Sequence, residues 1–155
     1  MDEKAQLKTA LTKAMRLCSQ REYCVNDIEM KLESWGVATS DAKKIIDSLL
    51  KENFINEERY SRAFAKDKFN YNKWGKIKIA SHLKAKKIPT KTISQALDSI
   101  DSDLYFNTIK TTLESRKKSI KAKNNYELKA KLVRFGLSKG FESSLLYEAV
   151  NDFED

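Results

Sequence analysis

The residues best suited to chemistry in this chain are cations placed at helical spacing. Lys78, His82 and Lys86 recur at i, i+4 and i+8, which lays them in one line along a helix, opposite an inward face of Ile79, Ala80 and Leu83. Lys76, Lys84 and Lys87 belong to the same run. A linear basic stripe of this kind can follow a phosphate backbone or an acidic groove. Arg59 and Arg62 lie just upstream, and a guanidinium can fork onto phosphate or carboxylate. Their competing use is internal pairing with Glu57, Glu58 or Asp67. Arg16 and Arg21, near Tyr23, form a second candidate contact zone. Tyr71 and Trp74 flank the basic helix, where core packing competes with stacking on exposed bases. A further run, Arg116-Lys117-Lys118 with Lys121 and Lys123, suits a helix C-terminus, where cations offset the macrodipole.

The same inventory argues against catalysis. His82 is the only histidine, so no metal site is expected. Phosphate loops, GxSxG and HExxH are absent, and the acids are scattered as on solvated faces. Cys18 and Cys24 have neither redox nor zinc spacing and suit a reducing cytosol. No cofactor, small-molecule substrate or enzymatic activity is expected.

Charge concentrates the expectation in the middle of the chain. Residues 1–50 are balanced, residues 51–100 carry twelve Lys/Arg against five Asp/Glu, and residues 101–155 carry ten against nine. Between Lys66 and Lys91 there are nine lysines and one acid, Asp67. The start, Met1-Asp2-Glu3-Lys4, is charged, so no secretory leader is expected. No apolar run approaches the roughly 18 residues a membrane span needs. A cytoplasmic, membrane-free protein is the expectation.

The elements that must position these cations are helices. One proline and four glycines in 155 residues leave little material for the turns of a sheet protein. Three segments align on Leu32, Leu83 and Leu132. Ile28, Ile79 and Leu128 precede them, and Val37, Ile88 and Leu137 follow. Each segment reads as a helix, a tight turn near Gly36, Lys87 or Gly136, and a second helix. A longer helix precedes each pair, over about 3–18, 56–71 and 103–121, with Asn56 and Ser102 as candidate N-caps and Thr90 after Pro89 as another start signal. The fold expected is all-α: three tandem three-helix repeats, 1–53, 54–100 and 101–155, in an elongated, curved array. On this alignment Trp35-Gly36 and Phe135-Gly136 are equivalent corners, and the middle unit replaces them with Lys86-Lys87. That exchange marks the middle unit as the specialised one.

Several strings carry a family resemblance across nearly the whole chain. These are Arg21-Glu22-Tyr23 followed by Lys31-Leu32 and Trp35-Gly36-Val37; Phe54-Ile55-Asn56-Glu57-Glu58-Arg59-Tyr60 with Ala63-Phe64; Gly75-Lys76-Ile77 with Leu83; and Gly140-Phe141. Together they resemble the RecX family of bacterial regulators of the RecA recombinase. Asn56, His82, Lys87 and Cys24 depart from the family pattern, which commonly has an acid, Glu, Gly and Ser there. The resemblance implies a protein that lies along the RecA–single-stranded-DNA filament, limits its extension or favours its disassembly, and so damps recombination and the DNA-damage response. It implies RecA as a protein partner, with single-stranded DNA met directly or through RecA. The alternative is a helical nucleic-acid binder acting on single-stranded DNA or RNA without RecA, and a third class is a helical adaptor with a purely protein partner.

Overall fold

The computed structural model describes residues 3–153, so the charged start Met1-Asp2 and the last two residues lie outside the description. Among the described residues nine helices follow one another: α1 (Glu3–Gln20), α2 (Val25–Ser34), α3 (Thr39–Lys51), α4 (Glu57–Asn72), α5 (Lys76–Ala85), α6 (Thr90–Asp98), α7 (Ser102–Lys117), α8 (Asn125–Ser138) and α9 (Ser143–Asn151). No strand occurs among the described residues. The expected all-α repeat architecture is what the chain adopts.

Side-chain caps set three of the long helix starts. Asn56 accepts from the Arg59 N–H at 2.9 Å, Asp101 from Leu104 at 2.9 Å and Asn124 from Glu127 at 2.8 Å, each relieving an orphan donor of the first turn. Asn56 was the expected cap of α4. For α7 the cap is Asp101 rather than Ser102, because Ser102 is already the first helical residue. That helix ends at Lys117, a turn before the expected 121, where the Ser119 hydroxyl donates back to the Arg116 carbonyl at 3.0 Å.

The repeat register needs one correction. Units one and two superpose without a gap. Ala14 and Ala65 are both fully buried, Cys24 and Gly75 both precede the second helix, and Gly36 and Lys87 both turn the corner at positive φ, 77° and 63°. In unit three the corner is Gly140, at φ 90°, not Gly136. The hydrogen bonds fix the equivalence: Val37 donates to Leu32, Ile88 to Leu83, and Phe141 to Gly136. Lys139 therefore matches Lys86 and Trp35, and Phe135 does not. Helix α8 carries one extra turn at its start. Apolar columns cannot reveal a slip of one turn, because residues i and i+4 share a face. Gly136 instead lies inside α8 against Leu146, whose Cδ2 would sit 2.2 Å from an added Cβ.

Two apolar cores result. Ala10, Ala14, Ile28, Leu32, Ile45, Leu49 and Ile55 close unit one. A second, larger core runs through units two and three without interruption, from Tyr60 and Phe69 through Ile79 and Leu83 to Tyr105, Leu132 and Phe141. Phe69 and Phe141 both pack against the Tyr105 ring, at 5.6 and 5.8 Å between centroids.

The two joints differ in kind. Between units two and three the Gly75 N–H donates to the Lys139 carbonyl at 2.7 Å and the Ile77 N–H to that of Gly140 at 3.0 Å. A Cβ on Gly75 would lie 2.2 Å from the Gly140 carbonyl carbon. Gly75→Ala is therefore expected to destabilise by about 3 kcal/mol, since backbone cannot yield as a side chain can. Gly36→Ala meets nothing within 4 Å, so only its left-handed φ is penalised, at about 1 kcal/mol. Urea denaturation of the two variants checks that order.

Candidate interface of the middle unit

The middle unit places its expected cations in three different settings. Lys86 and Arg59 are engaged with unit one. The Lys86 ammonium reaches Asp27 at 2.6 Å, with side chains 39% and 13% exposed. Arg59 reaches Glu22 at 2.6 Å and also donates to the carbonyls of Asn53 and Phe54. Its internal partner is thus Glu22, not the Glu57, Glu58 or Asp67 weighed from sequence. Glu57 serves the same joint differently: its carboxylate accepts from the Val25 N–H at 3.1 Å, at the positive end of α2.

Lys76 and Lys78 lie over aromatic rings. Lys76 sits 4.8 Å from the Tyr105 centroid, and its own N–H donates to the Tyr105 hydroxyl at 2.9 Å, which in turn donates to Glu142. Lys78 sits 4.6 Å from the Trp74 centroid, which Lys68 approaches at 5.0 Å. His82 packs against Trp74 at 4.5 Å. The predicted line of Lys78, His82 and Lys86 exists along α5, but Trp74 and Asp27 occupy it. Trp74 packs on the core, whereas Tyr71 is 82% exposed.

Arg62, Lys84 and Lys87 are exposed, without a side-chain ion pair among the described residues. Lys87 holds a left-handed φ of 63° that its place in the turn imposes. On unit one, Arg16 is exposed on α1 and Arg21 lies 4.7 Å over the Tyr23 ring. In the third unit, Arg116 covers Phe135 at 4.8 Å and Lys117 approaches Phe153 at 5.3 Å.

Sequence reasoning missed the acids at the first joint. Asp27 and Glu22 looked like solvated charges, and only the stacking of units brings them to Lys86 and Arg59. Cys24 is the plug of this joint, fully buried within the core of the units that follow it. Burial pushes its thiol up to about 11, which keeps it protonated and unreactive at neutral pH. Burial also pushes up the neighbouring Tyr60 hydroxyl, with Asp27 adding to the effect. For Asp27 burial acts upward, but hydrogen bonds from Lys86 and the Cys24 N–H outweigh it and hold the carboxyl below its ordinary value. The bond to Asp27 raises Lys86. The second joint has the opposite charge pattern: burial, and then the nearby Lys78, lower Lys139.

No group of three or more potential ligands could hold a metal ion among the described residues. None of their helices is long and apolar enough to cross a membrane.

Comparison with known proteins supplies the family. Residues 56–97 match the model of the second three-helix domain of RecX, and residues 103–150 match that of the third. The chain belongs to the RecX family. The regulatory protein RecX of Vibrio parahaemolyticus is 29% identical, with the alignment covering 100% of this chain and 99% of that protein. The RecX of Clostridioides difficile is 24% identical over 97% of this chain and 70% of its own. The crystal structure of RecX from Lactobacillus salivarius shares the fold at a TM-score of 0.82 and 20% identity, over 94% of this chain and 95% of the other. This RecX-family chain is thus a regulatory protein in kind, and its helical repeat is the fold of that family.

The charged joint is open to direct measurement. Replacing Asp27 by Asn should destabilise by about 1–2 kcal/mol, between the values for exposed and buried pairs. Alkylation of Cys24 should accelerate in that variant, read against a Cys18→Ser background. The Asp27 contribution is present above the ordinary carboxylate value of 3.8 and is lost as pH falls through the lower folded value. The Lys86 contribution holds below 10.5 and is lost only above its raised folded value. The urea-midpoint difference between wild type and Asp27→Asn should therefore stay flat from about pH 5 to 9 and shrink below about pH 4.

Proposed function

We propose that this protein binds the RecA–single-stranded-DNA filament and limits its extension or promotes its disassembly, damping recombination and the DNA-damage response. Membership of the RecX family, matched over both the second and third units, carries the reading. The net charge of +8 is compatible with a polyanionic assembly as target. The protein acts by binding, without cofactor or catalysis, and works in the cytoplasm, with units at 1–53, 54–100 and 101–155.

Within the predicted contact set, the exposed Arg62, Lys84, Lys87, Arg16 and Arg21 meet the filament. Lys86 and Arg59 act one step back. By clamping unit one to unit two, they fix the relative placement of the contact residues. Lys76 and Lys78, over rings, present part of their charge outward.

The test adds purified protein to RecA on single-stranded DNA and follows ATP hydrolysis and filament length. Substoichiometric protein should lower both, and no effect across a wide dose range would sink the reading. Arg62→Glu, Lys84→Glu and Lys87→Glu combined should weaken filament binding about tenfold or more while leaving the melting temperature near wild type. A RecA-independent binder would instead hold bare single-stranded DNA or RNA tightly, with a steep salt dependence.

A further inference from the structure

The first unit carries a surface built like the two internal joints, but none of the described residues is seated in it as a plug. Each joint consists of a plug and a socket. The plug is a short extended link with a small residue at the N-cap, Cys24 or Gly75, followed by the first turn of a helix. The socket is the early part of the next unit's first helix together with its corner. For Cys24 the socket is Glu57, Tyr60 and Lys86. For Gly75 it is Tyr105, Lys139 and Gly140.

Because units one and two share a register, Gln6, Thr9 and Trp35 stand where Glu57, Tyr60 and Lys86 stand. These residues line an open cavity of about 370 Å³ with Leu7, Lys13 and Gly36. Covered by its plug, Tyr60 is 7% exposed and Tyr105 2%; Thr9 is exposed. The cavity is the third socket of the series.

The chain's own far end is a poor match for it. In unit three the residue in the register of Cys24 and Gly75 is Leu128, which lies inside α8 and packs on the core. The extra turn of α8 puts helix body where a plug would emerge, so continuation of the array by a second copy lacks its plug.

We propose that this groove receives a helix start of a RecA protomer in the filament, an inference that rests on the filament-binding reading above. The socket specifies what fits. A small N-cap residue lets the backbone approach, and free N–H groups of a first turn can reach the corner carbonyls as they do at the second joint. Trp35 replaces the corner lysine, with Lys13 lying 4.4 Å over its ring. With Lys13 and Asp41 also lining the groove, the third residue of the incoming turn meets an aromatic face flanked by charge, in place of the single cation of Lys86.

The test uses the full chain. Thr9→Trp fills the groove from an exposed position, Gln6→Arg blocks its rim, and Lys44→Trp on α3 is the control. Co-sedimentation with RecA on single-stranded DNA should weaken about tenfold for Thr9→Trp and Gln6→Arg and stay unchanged for Lys44→Trp, with unfolding midpoints confirming that all three fold. Wild-type affinity in both groove variants overturns this inference alone. Absence of binding by the wild type overturns both this inference and the filament reading. A photo-crosslinker at Thr9 should capture a RecA segment at a helix N-terminus. Capture of DNA, or of a second copy of this chain, overturns the assignment.

Discussion

Where Gly75 meets Gly140, two stretches of backbone approach so closely that an added Cβ on either would strike the other unit. The contact lets main-chain donors of unit two reach the corner carbonyls of unit three. It also brings Phe69 and Phe141 against one tyrosine ring. A side chain at either glycine would hold the units apart and open the core they share. The glycines therefore act through the room they leave, and the shared core of units two and three follows from it.

The first joint solves the same problem with other chemistry. Cys24 occupies the place of Gly75, its side chain fills the gap between units, and no backbone hydrogen bond crosses there among the described residues. Side chains take over: Lys86 on Asp27, Arg59 on Glu22, and Glu57 on the start of α2. Such pairs are partly buried and individually modest, so salt and pH reach part of what holds unit one. The basic character of the middle unit is correspondingly divided between structural and outward roles.

Much of the fold was legible because period 3.6 and the scarcity of Gly and Pro leave little choice. Asn56 as a cap and Thr90 as a helix start followed from local chemistry alone. The corner of unit three did not, since Leu128, Leu132 and Gly136 share one face of α8 and the periodic pattern is blind to whole turns. The partners of Lys86 and Arg59 were equally hidden. Asp27 and Glu22 are far from them in the chain and read as ordinary surface acids. The lysine-rich stripe was visible as a line of charge, while its cover was not: Trp74 sits beneath Lys68, Lys78 and His82 only because α4 and α5 fold back on each other.

The added turn of α8 also bears on how such arrays change length over time. A helix advances about 100° per residue, so inserting one or two residues would swing Leu132 and Val133 out of the core and carry the Gly140 corner away from Gly75. An insertion of three or four residues returns every side chain near its old direction, one pitch further along. Drift in the size of a unit should thus come in whole-turn steps within helices, while the seven-residue link 118–124 can vary one residue at a time between the Ile120 core contact and the Asn124 cap.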